Sequence, residues 1–337
     1  MMTVTNPTLS KTIFTMFERT KIGKTDVMVS SISFGCSGIA NLYTEVSDAE
    51  VVALLDQAWL RGIRYFDVAP HYGRGLAEVR LGTFLAGKPR EAFAVSTKVG
   101  RVLRPGSKVD EADGFISPLP NTVHYDYSGA GIRESFEGSC QRLGVDYIDI
   151  LYVHDIGAMT HGIDNAGHMA DLLETGLPEM ERLKAAGQIG AIGLGVNETQ
   201  VCLDIMRHHP LDAILLAGRW TLLDRSAEAE LVPLCIKQDT SLVLGGIFNS
   251  GILATGAVDG AHYDYGPPPA EICDQVEWLQ RSCAQFEIPL ATAAMQFGLT
   301  RTWVASVLIG TGKASSLKRN LDALEVNFPA PLAKLLF

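Results

Sequence analysis

The strongest constraint on this chain is a rhythm. From Val29 onward, short runs rich in β-branched and aliphatic residues alternate with stretches of helical period. Strand-like runs fall at 29–35, 62–69, 92–99, 146–154, 189–196, 212–217, 241–246 and 304–309. Between them, Ser47-Asp48-Ala49-Glu50 forms a capping-box pattern that places Val51, Leu54, Leu55 and Ala58 on one helical face. Helical stretches follow at 76–86, 128–143 with Gly144 as the stop, 175–186, 199–208, 226–238 and 270–285, and 315–325 closes the series. Nearly every strand is followed by a helix. That pattern predicts an α/β fold, a (β/α)8 TIM barrel, over a doubly wound sheet, which has fewer units and a Gly-rich first turn.

Three segments break the rhythm. Residues 17–30 read as an N-terminal β-hairpin turning at Gly23-Lys24-Thr25, and long loops at 99–127 and 249–269 follow strands 3 and 7. Such loops are where a barrel builds substrate specificity. No linker divides the chain, so residues 1–337 are expected to form one domain with an N-terminal extension at 1–17.

The formal charge of −10 argues against nucleic acid or an anionic membrane as a partner and leaves a small-molecule substrate. The first residues lack the apolar core of a signal peptide, and Cys36, Cys140, Cys202, Cys235, Cys273 and Cys283 are scattered without metal spacing. Reduced thiols and a cytoplasmic location are the expectation. The longest uncharged run, 240–258, carries four Gly among polar residues and reads as a strand with its loop, not a membrane span.

In a barrel, strand ends share one rim. Four candidate catalytic residues lie there: Asp67 and Tyr72 after the second strand, Lys98 at the end of the third and His154 at the end of the fourth. Singly, each has an ordinary explanation as a cap, a packed ring, a snorkelling amine or a core histidine. Together they make a proton-transfer site. A phenol of pKa about 10 needs a nearby cation to exchange protons near neutrality. Lys98 supplies one, Asp67 holds Lys98, and His154 donates to a carbonyl or alcohol oxygen.

The stretches FDVAPHYGRG, VSTKVG, DYIDILYVHD, GAIGLGVNE and VLIGTGKASSLKRNLDAL resemble, in order, the signatures of the aldo-keto reductases from about residue 18 to 326. The resemblance implies a barrel with a nicotinamide cofactor extended across the rim. It implies Tyr72 as acid/base, Lys98 tuning it, Asp67 paired with Lys98, and His154 orienting the substrate oxygen. It also implies cofactor contacts from Gly35, Cys36, Asp67, Asn197, Phe248, Asn249, Ser250, Gly310, Thr311, Gly312, Lys313, Ser316 and Asn320. Candidate substrate contacts are Ser37, where many carbonyl reductases carry Trp, together with Tyr72, His154, Tyr125 and Tyr127. Tyr263, Tyr265, Asp126 and Asp264 lie in the same two loops.

Departures from the family pattern carry information. Gly195-Val196-Asn197 replaces a Ser-Asn pair, Ala217 replaces a carboxamide-binding Gln, and GGIFNSG replaces a Tyr-Ser-Pro-Leu run. The Lys and Arg that clamp the 2′-phosphate of NADP align with Gly310 and Ser316. Loss of charged hydrogen bonds worth roughly 1.5–3 kcal/mol each shifts preference to NAD, with NADP weaker and Lys313 a partial replacement. An NAD enzyme runs as a dehydrogenase, which makes Tyr72 a base. A cyclic hemiacetal that yields a lactone suits it, either an aldose such as L-fucose or D-arabinose, or pyridoxal. An NADPH-dependent aldehyde reductase and a nucleotide-sensing regulatory subunit are the competing classes.

Other motifs carry less. GTGKAS lacks the earlier Gly and the final Ser or Thr of a phosphate-binding Walker loop. The pairs His161/His168 and His208/His209 lack a completing metal ligand and read as solvated loop histidines, and His71 and Arg74 as solvated or rim residues.

Overall fold

Eight parallel strands pair in chain order and close on themselves in the computed structural model, which describes residues 18–264 and 266–337. They are β1 Ile32–Gly35, β2 Tyr65–Asp67, β3 Ala94–Val99, β4 Ile148–His154, β5 Ile189–Val196, β6 Ala213–Ala217, β7 Ser241–Gly245 and β8 Val304–Gly310. The extension 1–17 and Tyr265 lie outside the described residues. The register pairs Gly310 with Gly35, Gly35 with Asp67, Asp67 with Ser96, Tyr152 with Lys98 and His154 with Gly195. The candidate residues therefore stand on adjacent staves at one end of the barrel.

The helical face read from the sequence is the buried one. Val51, Leu54, Leu55 and Ala58 of the helix Asp48–Leu60 face the barrel wall, and the Ser47/Glu50 capping box is formed in both directions. The helix Gly129–Leu143 ends at Gly144 in the left-handed conformation, which glycine adopts without Cβ strain.

The run 29–35 is not one strand. It divides at Ser31: Met28–Ser30 pairs antiparallel with Arg19–Lys21, and Ile32–Gly35 enters the barrel. Ser30 donates its hydroxyl to the carbonyl of Ile32 at 2.6 Å, and the Ser31 N–H bonds back to Glu18, so the two halves serve different sheets. The hairpin sends Ile22, Val27 and Val29 into the apolar cluster with Tyr65, Ile150 and Tyr152, flooring the barrel.

Other elements depart from the sequence reading. The helix Leu290–Gly298 precedes β8 unannounced: LATAAMQFG is a short, mostly apolar run that buries seven of its nine residues. A C-terminal helix Ala330–Leu336 follows the expected last one. The expected helix 226–238 is confined to Leu231–Gln238. The segment 99–127 is no open loop: Arg101–Pro105 pairs antiparallel with Asn121–Tyr125 as a rim hairpin. Among the described residues no helix is long and apolar enough to cross a membrane, and none of the six cysteines is in a disulfide.

Candidate active site

The Lys98 ammonium is 2% exposed and has three N–H donors. They reach Asp67 Oδ2 at 2.7 Å, the Val68 carbonyl at 3.0 Å and Tyr72 Oη at 3.2 Å. Burial favours the neutral amine, but the Asp67 carboxylate and the Tyr72 hydroxyl outweigh it and hold the pKa above the ordinary lysine value. Asp67 Oδ1 accepts from Ser96 Oγ at 2.7 Å, and Tyr65 and Tyr152 extend the chain at 2.9 and 3.1 Å. With Ser96 donating to Asp67, the protons order as Tyr152 to Tyr65 to Ser96 to Asp67. The ion pair is thus hydrogen-bonded on both sides, the condition under which a buried pair is tolerated.

Tyr72 stands on a tight turn after β2 in which Gly73, Arg74 and Gly75 have φ of 60°, 54° and 101°. A Cβ on Gly73 would meet Leu76 Cβ at 2.9 Å, so the position requires glycine. The rim hairpin clasps this turn: Arg74 Nη1 donates to the Asn121 carbonyl at 2.8 Å, and Asn121 Nδ2 donates to the Arg74 carbonyl at 2.9 Å. Arg74 therefore lines the rim, as one of the two expected alternatives, with a structural role. Burial raises the Tyr72 pKa above 10, against the opposing pull of Lys98. In the protein alone the phenol is protonated at neutral pH.

His154 is 5% exposed, with its ring perpendicular to Tyr72 at a centroid distance of 6.1 Å. Its pKa is driven well below the usual histidine value by burial, then by Arg101 and Lys98, so the imidazole is neutral. Its Nε2 lies 3.4 Å from Asp155 Oδ2, and its buried Nδ1 has no partner among the described residues.

Three residues given no role in the sequence reading belong to this site. His71 is not solvated: its ring packs edge-on against Phe115 and His154, and burial lowers its pKa to about 3. Arg101 donates to Asp155 Oδ2 at 2.5 Å, and Asp155 holds a left-handed φ of 43°. Asp155 follows His154 at the end of β4, so the strand-end reasoning that selected His154 reaches its neighbour as well.

The tyrosines divide. Tyr127 is fully buried under Gly100 and donates its hydroxyl to the His154 carbonyl at 2.8 Å, so it braces the strand end and presents no open face. Tyr125 is 44% exposed, with the Arg101 guanidinium 5.4 Å over its ring and His161 edge-on at 4.7 Å. His161 and His168 pack together at 4.3 Å in this cluster instead of being solvated, and His209 contacts Glu181 at 3.1 Å. No group of three metal-ligand side chains occurs among the described residues.

Along the rim, Gly35 and Gly310 stand side by side without side chains, and Ser37 and Asn197 are half-buried. Gly38 packs so closely on Thr311 and Gly312 that a Cβ would fall 2.5 Å from Thr311 C. The segment Gly310–Lys313 leads into the helix Ala314–Leu324, whose first turn has no acidic residue. Bare backbone next to free helix N–H groups suits a pyrophosphate, so these residues fit a dinucleotide. Ser316 accepts from Arg319 at 3.1 Å, Lys313 is exposed, Asn320 is half-buried at the next turn, and Phe248 and Ser250 lie beyond β7. Cys36 is fully buried, and burial pushes its thiol up. The Asn249 side chain does not face the opening, since Thr221 and the Gly218 carbonyl occupy its amide. Arg219 ties the rim loops together, donating to the Asn197 carbonyl at 2.7 Å and to Asp264 at 2.8 Å.

A groove of ≈ 850 Å³ opens at the opposite end, between the N-terminal hairpin and the strand starts. Its Arg90 and Lys184 are paired with Asp149 and Asp212.

Residues 31–333 match the Aldo/keto reductase family, and the chain belongs to it. It is 41% identical over 323 residues to pyridoxal 4-dehydrogenase of Microbacterium luteolum, covering 93% of this chain and 94% of that one. It is 39% identical over 311 residues to D-threo-aldose 1-dehydrogenase of Pseudomonas sp, covering 90% and 92%. The holo form of an aldo-keto reductase from Bacillus halodurans superposes with a TM-score of 0.71 at 25% identity over 95% of this chain and 97% of that one. The protein is therefore an oxidoreductase with a (β/α)8 barrel, of a family that works with nicotinamide cofactors.

Proposed function

We propose that the protein is an NAD-dependent dehydrogenase that oxidises the cyclic hemiacetal of an aldose, such as L-fucose or D-arabinose, to its lactone. The observation that carries this reading is the buried Asp67–Lys98–Tyr72 line beside a neutral His154. His154 positions the anomeric oxygen, and Tyr72 takes its proton while the carbon loses hydride. Lys98 stabilises the phenolate through a charge-assisted hydrogen bond, and Asp67 keeps Lys98 charged and in place. The nicotinamide, when bound, supplies the hydride acceptor. Gly310 and Ser316 offer no charge for a 2′-phosphate, which favours NAD, and Lys313 leaves NADP as a weaker cofactor.

Pyridoxal is the second substrate reading, supported by the similarity to pyridoxal 4-dehydrogenase. Purified protein given NAD or NADP with L-fucose, D-arabinose, L-galactose or pyridoxal, followed by absorbance of the reduced cofactor, separates these readings. Turnover of the aldoses with NAD is expected. Absence of turnover with every substrate, or faster reaction of NADPH with simple aldehydes, would rule out the proposal.

A further inference from the structure

Asp155 is a carboxylate beside His154 that the proposed chemistry leaves unused. Its Oδ2 lies 3.4 Å from His154 Nε2, its side chain is 25% exposed, and Arg101, itself 7% exposed, holds it by a 2.5 Å hydrogen bond. The backbone is committed to this placement: Asp155 has φ of 43° and donates its N–H to the Gly195 carbonyl at 2.9 Å. Aspartate tolerates the left-handed region, and here that conformation sets its carboxylate beside His154. A carboxylate has about four acceptor sites, and Arg101 fills one of them.

Resting on the aldose-dehydrogenase reading, we infer that Asp155 is a specificity-determining residue that accepts a hydrogen bond from the hydroxyl on the carbon next to the reacting one. If His154 Nε2 holds the reacting oxygen, an acceptor 3.4 Å away is placed for the oxygen one carbon further along, with hydrogen bonds of about 2.7–3.0 Å to each. The class of substrate selected is thus an aldose with a free C2 hydroxyl. Pyridoxal carries no hydroxyl on the adjacent carbon. Arg101 is a positioning residue, holding the carboxylate charged and turned toward the site.

The test is a cycle between protein and substrate. kcat/KM is measured for an aldose and its 2-deoxy analogue with the wild type and with Asp155→Asn, which keeps the shape and an acceptor for Arg101. Wild type is expected to prefer the 2-hydroxy sugar by ~10- to 100-fold, and the variant to lose most of that ratio, with the loss in KM more than in kcat. The ratio cancels any difference in intrinsic reactivity between the sugars. An equal preference in both proteins overturns the assignment. So does a wild type indifferent to the C2 hydroxyl, a comparison that requires no folded variant. A wild type that oxidises no aldose at all instead overturns the reading on which the assignment rests.

Discussion

Lys98 donates to the phenolic oxygen of Tyr72 at 3.2 Å from the neighbouring strand, and it does so as a buried cation. The bond sets how readily Tyr72 gives up its proton, because charge on Lys98 favours phenolate while burial opposes it. Tyr72→Phe removes the proton acceptor and little else. Its kcat is expected to fall by ~10²–10⁴-fold, with the dissociation constant for NAD, read by fluorescence titration, nearly unchanged. A variant retaining comparable turnover would exclude Tyr72 as the base.

Lys98→Met tests the tuning. Tyr72 already has its pKa raised, and loss of the cation raises it further. Oxidation by wild type should accelerate as pH rises toward alkaline values, and in Lys98→Met that limb should move to still higher pH. The substitution also leaves Asp67 buried without its charged partner, at a cost of about 3–5 kcal/mol in urea denaturation. An unshifted pH profile in a folded variant would contradict the role of Lys98.

Acid should destabilise the protein through its buried imidazoles. The folded-state pKa of His71 is about 3, whereas an unfolded histidine titrates near 6.5. Between these values the unfolded chain binds the extra proton, so the contribution of neutral His71 is complete above pH 6.5 and is lost as pH falls toward 3. The slope is about 1.4 kcal/mol per pH unit, and His154 adds in the same direction. His71→Gln should flatten the stability curve measured between pH 4 and 6.5. A curve as steep as the wild type's would show that His71 is not held neutral.

Gly73→Ala separates backbone strain from position. At φ of 60°, with Leu76 Cβ 2.9 Å and Ala40 Cβ 3.0 Å from the added methyl, it should cost about 1–3 kcal/mol and lower kcat by displacing Tyr72. Gly144→Ala is the control. It shares a positive φ of 67° but meets nothing within 4 Å, so it should cost about 1–2 kcal/mol with kcat unchanged. Equal effects on kcat would detach the turn at Gly73 from catalysis.

The sequence discloses the barrel and the four rim residues by one mechanism: strand periodicity locates strand ends, and the fold brings those ends together. The same logic reaches Asp155, which stands one position beyond His154. It fails where periodicity is hidden. Leu290–Gly298 is short and almost wholly buried, and at Ser31 a continuous strand-like run is shared by two sheets through a hydroxyl contact that leaves no pattern. His71 and Arg101 are illegible for another reason. Their surroundings come from Phe115, Tyr125 and the folding of 99–127 into a hairpin, a segment that looks like loop by composition.

That hairpin leaves β3 at Gly100 and rejoins the chain at Asp126, and the Asp126 N–H bonds to the Gly100 carbonyl at 3.0 Å across its neck. A segment pinched shut at its base behaves as a cassette. The length and sequence of its outer part can change without altering the register of β3 or the start of the helix Gly129–Leu143, provided that the clasp between Asn121 and Arg74 and the contacts of Arg101 and Phe115 with Asp155 and His71 survive. Substrate range in this barrel can therefore be altered at the outer end of the hairpin, while Arg101 and Phe115 keep its base tied to the proton chemistry beneath.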